Sequence, residues 1–439
     1  KDSELKIKDY NGNLILKHDR SENNRFTYDS RFVLFKIKAW KDSIIEMKRR
    51  KVKKNKMPMD TLAIYNLEKN ILHKIPNIKS YKIPEKWAPY VAYHYDEKKS
   101  EKNSDTTKSK KTFKKPSSIN GYPLVIRNLE TSIEDTIQYV TNYPFAKESK
   151  TLAYSTTGMN GSYSPGVYVR DLNKNETKHV FSSHKKTKYY KLNLSDSGKN
   201  LGFIMDADSS KVQQRPFEIY SWNSKNDKAE LILNKENAPS GFNVSSKGSL
   251  SFSKDESKLY FGLARPEIFQ DTLLLDEEMV NVEVWTYDEP RLYTVQEKQL
   301  KNDKDKSYRT AYHLKENKLI QIETEEFPNS ILADEGNGEY ALISTREPYQ
   351  LSSQWTGLFS ANDLAVINVN NGHSKIALKG LPSAARFSPS GKYAYGYNEI
   401  DSTWYTYNVK TDKFTQLTKG KQFYNEQNDY PNYPRSYGS

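Results

Sequence analysis

The amino-acid sequence predicts an all-β fold, a β-propeller of four-stranded antiparallel blades with about seven units present. Three observations support this prediction. One turn-and-strand piece recurs along the chain, a hairpin of a second kind follows each copy, and successive units start roughly 40 to 60 residues apart. A stacked β-sandwich is the structural alternative, but it does not predict one hairpin signature that returns along the whole chain.

The first piece is a turn rich in Asp, Ser, Gly and Lys that leads into a short apolar and aromatic strand. The turn residues reverse the chain, and the alternation after them gives a strand with a buried face. Its copies are FTYDSRFVLFKI (26–37), FAKESKTLAYS (145–155), LSDSGKNLGFI (194–204), FSKDESKLYFG (252–262), LADEGNGEYALI (332–343) and FSPSGKYAYGY (387–397), with a degenerate copy at 87–95.

The second piece is a hairpin of two alternating strands whose turn contains Asn, Asp, Lys or Gly. Its copies are LAIYNLEKNILHKI (62–75), LVIRNLETSIEDTI (124–137), VYVRDLNKNETKHVF (167–181), FEIYSWNSKNDKAELIL (217–233), RTAYHLKENKLIQI (309–322), LAVINVNNGHSKIAL (364–378) and WYTYNVKTDKFTQLT (404–418).

Pairing the two pieces divides the chain into units. We expect a partial blade at 1–25, repeated blades over 26–418 with a stretched unit at 252–322, and a polar, Pro-rich tail at 419–439 that completes no unit. Because the repeat is incomplete at both ends, the sequence predicts that 1–439 is the propeller portion of a longer protein.

The net charge of +13 is concentrated in two insertions, 41–60 and 98–115. They carry +5 and +6, which is +11 of the +13, so the rest of the chain is nearly balanced. Segment 98–115 has the composition of a solvated loop, whereas Ile44, Ile45 and Met47 favour a short amphipathic helix or an ordered insertion at 41–60. Neither segment interleaves Arg with aromatic residues, so we expect no nucleic-acid partner.

The composition excludes several kinds of site. The chain contains no cysteine, which excludes disulfides, thiol nucleophiles and thiolate metal sites. No window approaches the roughly 18 apolar residues of a membrane span, so we expect no span in this chain. The chain starts at Lys1 and shows no signal-peptide pattern.

No catalytic constellation emerges from the motifs. Ser162 and Ser164 lie between glycines, but neither has Gly two residues before it, as a nucleophile elbow requires, so we expect a loop between strands. The seven His residues show no metal-binding spacing, and His179 and His184 are expected on the surface. The acidic segment DADSSK (206–211) is expected to be a turn. We therefore assign no catalytic, cofactor-binding or metal-ligating residue, and no cofactor.

Residues 284–308, VWTYDEPRLYTVQEKQLKNDKDKSY, interrupt the regular array. We expect strand residues at Val284, Trp285 and Tyr287, then an acidic turn, a short helix or extended segment over 292–300, and a solvated turn into the next strand. The stretch is interpreted as an elaborated blade connection, with an interdomain or substrate-facing contact as the alternative.

Longer matches give a family resemblance. Residues 283–322, residues 35–87 and the terminus FYNEQNDYPNYPRSYGS (423–439) closely resemble segments of large exported proteins of Bacteroidetes. Those proteins belong to the prolyl oligopeptidase (dipeptidyl-peptidase-like) family of serine peptidases. The resemblance runs along essentially the whole chain, and these matches are more specific than the generic blade repeat.

In that family an N-terminal propeller precedes a C-terminal α/β-hydrolase domain with a Ser-Asp-His triad. The resemblance implies an accessory, gating propeller of an exported peptidase, periplasmic or at the cell surface. Its partners would be peptide substrates and a hydrolase domain after Ser439, so the triad would lie outside this chain. Some relatives hold the substrate amino terminus with acidic residues, but Glu277 and Glu278 match no such motif. A non-enzymatic periplasmic or cell-surface binding propeller is the alternative.

Overall fold

The computed structural model describes residues 3–418 except 54–55, 97–115, 159–160, 162, 209, 211, 270–273, 276, 279–281, 283, 285, 357–360, 382–384, 399–400 and 402. The predicted insertion 98–115 and the predicted tail 419–439 lie outside the described residues. The chain divides into two compact units, Lys1–Ser246 and Lys247–Ser439.

The first unit contains a two-stranded hairpin followed by four antiparallel four-stranded meanders, named blades 1 to 4. Helix α1 (Lys41–Arg49), with Asp42 in its first turn and basic residues in its last, lies in the 41–60 insertion. The strands are β1 (Glu4–Lys8) and β2 (Leu14–Asp19) in the hairpin; β3 (Ser21–Phe26), β4 (Phe32–Ile37), β5 (Asp60–Asn66) and β6 (Ile71–Lys82); β7 (Tyr90–Tyr95), β8 (Tyr122–Asn128) and β9 (Glu134–Asn142); β10 (Thr151–Thr156), β11 (Gly166–Asp171) and β12 (Glu176–Ser182); and β13 (Lys188–Leu194), β14 (Asn200–Asp206), β15 (Glu218–Asn223) and β16 (Glu230–Leu233).

Two long strands each belong to two blades. In β6, residues 71–75 pair with β5 as the last strand of blade 1, and residues 80–82 pair with β7 as the first strand of blade 2. Strand β9 joins blade 2 to blade 3 in the same way, with residues 134–137 on β8 and Asn142 on β10. Blades 1 to 3 therefore form one ten-stranded sheet, β3 to β12 in chain order.

The second unit contains three further meanders, named blades 5 to 7. Two helices and two short 3-10 turns lie in its connections. A short strand β17 (Asn243–Val244) falls within the bounds of the first unit, and the elements of the second unit are β18 (Ser251–Phe252), β19 (Lys258–Ala264), α2 (Tyr293–Lys304), β20 (Tyr308–His313) and β21 (Lys318–Gln321); β22 (Asn329–Leu332), a 3-10 turn (Asp334–Gly336), β23 (Tyr340–Thr345), a 3-10 turn (Glu347–Tyr349), α3 (Gln350–Thr356), β24 (Asn362–Asn368) and β25 (Ser374–Leu381); and β26 (Arg386–Phe387), β27 (Tyr393–Asn398), β28 (Thr403–Asn408) and β29 (Lys413–Gln416).

Four of the six full copies of the first repeated piece form one kind of turn with a shared hydrogen-bond pattern. A Ser or Thr Oγ accepts from the backbone N–H five residues later, and its own N–H donates to the carbonyl of that residue. The fourth turn residue has a left-handed φ of 58° to 73°, which favours Gly; it is Gly in two of these turns and Ser30 or Glu256 in the other two. The pairs are Thr27–Phe32, Ser195–Asn200, Ser253–Lys258 and Ser388–Tyr393, with all eight distances between 2.8 and 3.1 Å.

Five of the seven copies of the second piece close through an Asx turn. An Asn or Asp Oδ1 accepts from the backbone N–H groups two and three residues later, which fixes the reversal between the third and fourth strands. The acceptors are Asn66, Asn128, Asp171, Asn368 and Asn408.

Apolar cores fill the space between neighbouring blades within each unit. Because successive side chains of a strand point to opposite faces, Leu34 of blade 1 joins the core against blade 2 while Val33 and Phe35 join the core against the hairpin. In blade 6, Ile343 likewise faces blade 5 and Leu342 faces blade 7. Blades buried on both faces explain the continuous apolar strands. The predicted all-β fold of four-stranded antiparallel propeller blades is confirmed, with seven blades in the described ranges.

The interruption at 284–308 differs from its prediction. Val284 is 75% exposed and Tyr287 is 90% exposed, and neither lies in a strand, while Trp285 is outside the described residues. Helix α2 extends to Lys304, through residues that were expected to form a solvated turn. Its start is held from a distant position, because the Leu292 N–H donates to Gln354 Oε1 of α3 at 2.6 Å.

Candidate functional site: a basic cavity on blades 1 to 3

A cavity of about 500 Å³ opens on the first strands of blades 1 and 2 and on the segment that leads into β10 of blade 3. Strand β3 and the neighbouring β4 contribute one wall, the second half of β6 contributes another, and residues 144–147 contribute the third. We call this the basic cavity. Its lining residues are Asn23, Arg25, Lys36, Ser80, Tyr81, Lys82, Ile83, Glu85, Pro144, Phe145, Ala146 and Lys147.

The lining carries four cations and one carboxylate. Lys36 Nζ lies 3.3 Å from Asp60 Oδ2, and Lys147 Nζ lies 3.6 Å from Glu85 Oε2, so two of the cations have acidic partners. Arg25 and Lys82 form no ion pair with any described residue. These two side chains give the cavity an uncompensated positive charge.

Four side chains, two of which line the cavity, form a connected cluster. Ser80 Oγ and Tyr143 Oη are 2.6 Å apart, and Lys82 Nζ lies 4.9 Å from the centroid of the Tyr143 ring. His94 packs edge-on against the same ring, at 4.4 Å between centroids. His94 is only 6% exposed, and its Nε2 has no hydrogen-bond partner among the described residues.

Burial controls the protonation of this cluster. Burial, with a smaller contribution from the nearby Lys82 ammonium, lowers the pKa of His94 to about 4. Loss of water around Lys82 lowers its pKa, and burial raises the pKa of Tyr143 to about 12. Ser80 therefore has a protonated phenol as its partner rather than a general base, so the cluster does not form an activated nucleophile. What it offers is a cation beside an aromatic wall.

The motifs considered in the sequence take structural roles. The carbonyl of Ser164 accepts from Tyr168 Oη at 2.8 Å, while Ser162 lies outside the described residues. Asp206, fully buried at the end of β14, accepts from Arg215 Nε at 2.6 Å, and Arg215 also donates to the carbonyl of Ser210 at 2.9 Å; Ser209 and Lys211 of the predicted turn lie outside the described residues. In the described ranges, no group of three or more His, Asp or Glu side chains could hold a metal ion.

One of the two histidines that were expected on the surface is partly buried. His184 is exposed, but His179 is half-buried and stacks on Tyr168 with 4.3 Å between centroids and 9° between planes. Tyr168 stacks in turn on Tyr154 at 5.1 Å. The expectation for His179 is wrong because β12 pairs with β11 and places the imidazole beside Tyr168, its cross-strand partner.

Sequence reasoning missed the basic cavity. Its charges are scattered over four separate segments, and they are few beside the Lys-rich insertions that dominate the net charge. No local motif joins Arg25 to Lys82, which come together only because β6 crosses from one blade to the next.

The described strands define the class of this protein as an all-β chain of β-propeller blades. No protein-family model and no curated protein matches the sequence. No helix in the described part of the chain is long and apolar enough to cross a membrane.

Solved structures that are similar to this chain include propeller domains of peptidases. The β-propeller domain of the Trilobed protease from Pyrococcus furiosus has 11% identity and a TM-score of 0.36, with 92% of this chain and 98% of that chain covered. A prolyl endopeptidase has 10% identity and a TM-score of 0.36, and the match spans 90% of this chain and 49% of that one. Hydrazine synthase from Kuenenia stuttgartiensis has 10% identity and a TM-score of 0.37, with coverages of 88% and 95%. At these scores the likenesses carry no argument about activity.

Proposed function

We propose that residues 1–439 form the accessory propeller region of an exported serine peptidase of the prolyl oligopeptidase family. In this role the blades restrict the access of peptides to a C-terminal α/β-hydrolase domain outside this chain. The resemblance of residues 283–322 and 423–439 to exported members of that family supports the proposal. The observation that carries it is the basic cavity, whose polar and aromatic lining and volume of about 500 Å³ suit a short peptide.

The mechanism is indirect. A propeller docked over a hydrolase admits short or extended peptides, excludes folded chains and limits water at the reacting bond. Perturbing the blades should therefore change the substrate size limit or the stability before it changes the chemical step.

Deletion of one blade in the intact parent protein tests this proposal. Blade 7 (386–418) is suitable because it shares no strand with another blade. We expect the deleted protein to cleave a protein-sized substrate that the intact enzyme spares, with kcat/KM for a short chromogenic peptide within about threefold of the original. A thermal melt of the remaining blades is the control for folding. An unchanged preference for peptide size in a folded deletion variant would contradict the gating role.

The second candidate is a non-enzymatic periplasmic or cell-surface binding propeller, which the same cavity also favours. The coding sequence after Ser439 separates the two. A G-x-S-x-G motif on a strand–turn–helix, followed by Asp and His, is expected for the peptidase, and its absence would favour the binding protein.

A further inference from the structure

We propose that the basic cavity binds the carboxylate of a short peptide, with Arg25 and Lys82 as its charged contacts. The inference deepens the proposed function, on which the choice of a peptide ligand rests. It concerns binding by this chain itself and does not require a hydrolase domain.

The first argument is electrostatic. Lys147 has Glu85 as its acidic partner and Lys36 shares Asp60 with Lys38, whereas Arg25 and Lys82 face the cavity without an acidic partner among the described residues. Charges of one sign on the walls of a concave site attract an oppositely charged ligand more strongly than they would on an open surface. A carboxylate would supply the missing negative charge.

The second argument concerns the shape of the ligand. Among the described strands, residues 80–82 of β6 pair with β7 alone, so the other edge of this segment leaves backbone groups for an extended chain. Tyr81, Pro144 and Phe145 add apolar surface to the same cavity. Backbone groups, apolar walls and two free cations together match a peptide acid better than an inorganic anion, which would use the cations alone.

The third argument is the surroundings of Lys82. Its ammonium lies 4.9 Å from the Tyr143 ring, and this ring also packs against the buried His94. Lys82 is exposed, so its ammonium is accessible to an anion, and the contact with the ring helps to hold this cation at the cavity.

Binding of trialanine to the 439-residue chain tests the proposal by titration calorimetry. The probes are trialanine, its C-terminal amide, N-acetyl-trialanine and inorganic phosphate. We expect trialanine and N-acetyl-trialanine to bind alike, the amide to bind about tenfold more weakly, and added salt to weaken the acids more than the amide.

Two variants assign the contact, and a third is the matched control. Arg25→Gln and Lys82→Gln should each weaken trialanine about tenfold and leave the amide unchanged. Lys174→Gln removes one positive charge from an exposed turn after β11, outside the cavity, and should change neither. Thermal midpoints equal to the original would show that all three fold, as expected because neither Arg25 nor Lys82 forms an ion pair in the described structure.

Several results would overturn the proposal. Equal affinity for the acid and the amide would show that the cavity does not recognise the carboxylate. Phosphate that binds as tightly as trialanine would show that the cavity is a simple anion site and does not recognise a peptide. If both cavity variants bind trialanine with the affinity of the original protein, Arg25 and Lys82 are not the charged contacts. If the acid binds as expected while blade deletion leaves the size preference of the parent unchanged, the gating role fails and the carboxylate site stands.

Discussion

Replacement of Arg215 by Met should destabilise the first unit strongly, because it leaves Asp206 buried without a cation. Asp206 is 0% exposed, and Arg215 donates to its Oδ2 from Nε at 2.6 Å. The same guanidinium donates to the carbonyls of Asp208 and Ser210, so it also holds the connection between β14 and β15.

Removing one partner of a buried ion pair costs about 3–5 kcal/mol, most of it the cost of the uncompensated charge. For a unit of this size, about 2–4 °C of melting temperature is lost per kcal/mol, so the transition of Lys1–Ser246 should fall by about 6–20 °C. Met retains most of the apolar stem of Arg, so the change reports mainly on the charge.

Differential scanning calorimetry at neutral pH measures this effect. Adding Asp206→Asn to Arg215→Met should restore part of the loss, because the double variant has no buried charge. Lys86→Ala is the matched control in the same unit: its ion pair with Glu148 is exposed on both sides and should contribute at most about 1 kcal/mol. A loss for Arg215→Met no larger than that of the control would refute the reasoning.

Two further predictions concern a buried imidazole and a turn. Burial lowers the pKa of His94 in the folded chain to about 4, from an ordinary value of 6.5. As the pH falls from 6.5 to 4, the unfolded state therefore becomes protonated at this histidine before the folded state does, and the free energy of unfolding decreases by about 3 kcal/mol. Melting temperatures at pH 7.5 and 4.5 should therefore differ less in His94→Phe than in the original protein, and an equal difference would contradict the buried neutral imidazole; His184→Gln is the exposed control. Ser253→Ala removes the Oγ that accepts from the Lys258 N–H at 3.0 Å and should cost about 1–2 kcal/mol in a thermal melt, whereas Thr411→Ala in an exposed turn should cost far less.

The turns were predictable from sequence because their geometry is local. A Ser or Thr followed by a residue that tolerates a left-handed φ carries the whole first turn within six residues, as in Ser195 to Asn200 with Gly198 between them. The Asx turn at Asn66 is equally self-contained. Regular spacing of such local signals was enough to identify the blades.

The strands that belong to two blades could not be predicted from local sequence in the same way. The pattern ends the second hairpin of blade 1 at residue 75, but β6 continues past Pro76 and Asn77 to Lys82. Asn77 has a φ of 60°, which redirects the strand without ending it. The basic cavity depends on this continuation, because it places Lys82 on the same cavity as Arg25. A strand that ends at residue 75 does not predict this arrangement.

The prediction for residues 284–308 was wrong for a related reason. The sequence predicts a short helix or an extended segment over 292–300 and, from the charge cluster that follows, a solvated turn, whereas helix α2 continues to Lys304. In the structure, Arg291 pairs with Asp303 at 2.9 Å, a contact twelve residues apart that supports the last turn of the helix. Gln354 of α3 fixes the other end at Leu292. Neither contact follows from local composition.

The double membership of β6 and β9 also limits how the gene for such a chain can be recombined. A crossover between homologous blades is tolerated where a boundary falls in a loop, as between blades 5, 6 and 7, since each module then carries all of its own strands. Within blades 1 to 3, any boundary between blades falls inside a continuous strand, so one half of that strand would come from a different parent sequence. The inheritable module at this end of the protein is thus the three-blade block, and single-blade exchange is confined to the remainder.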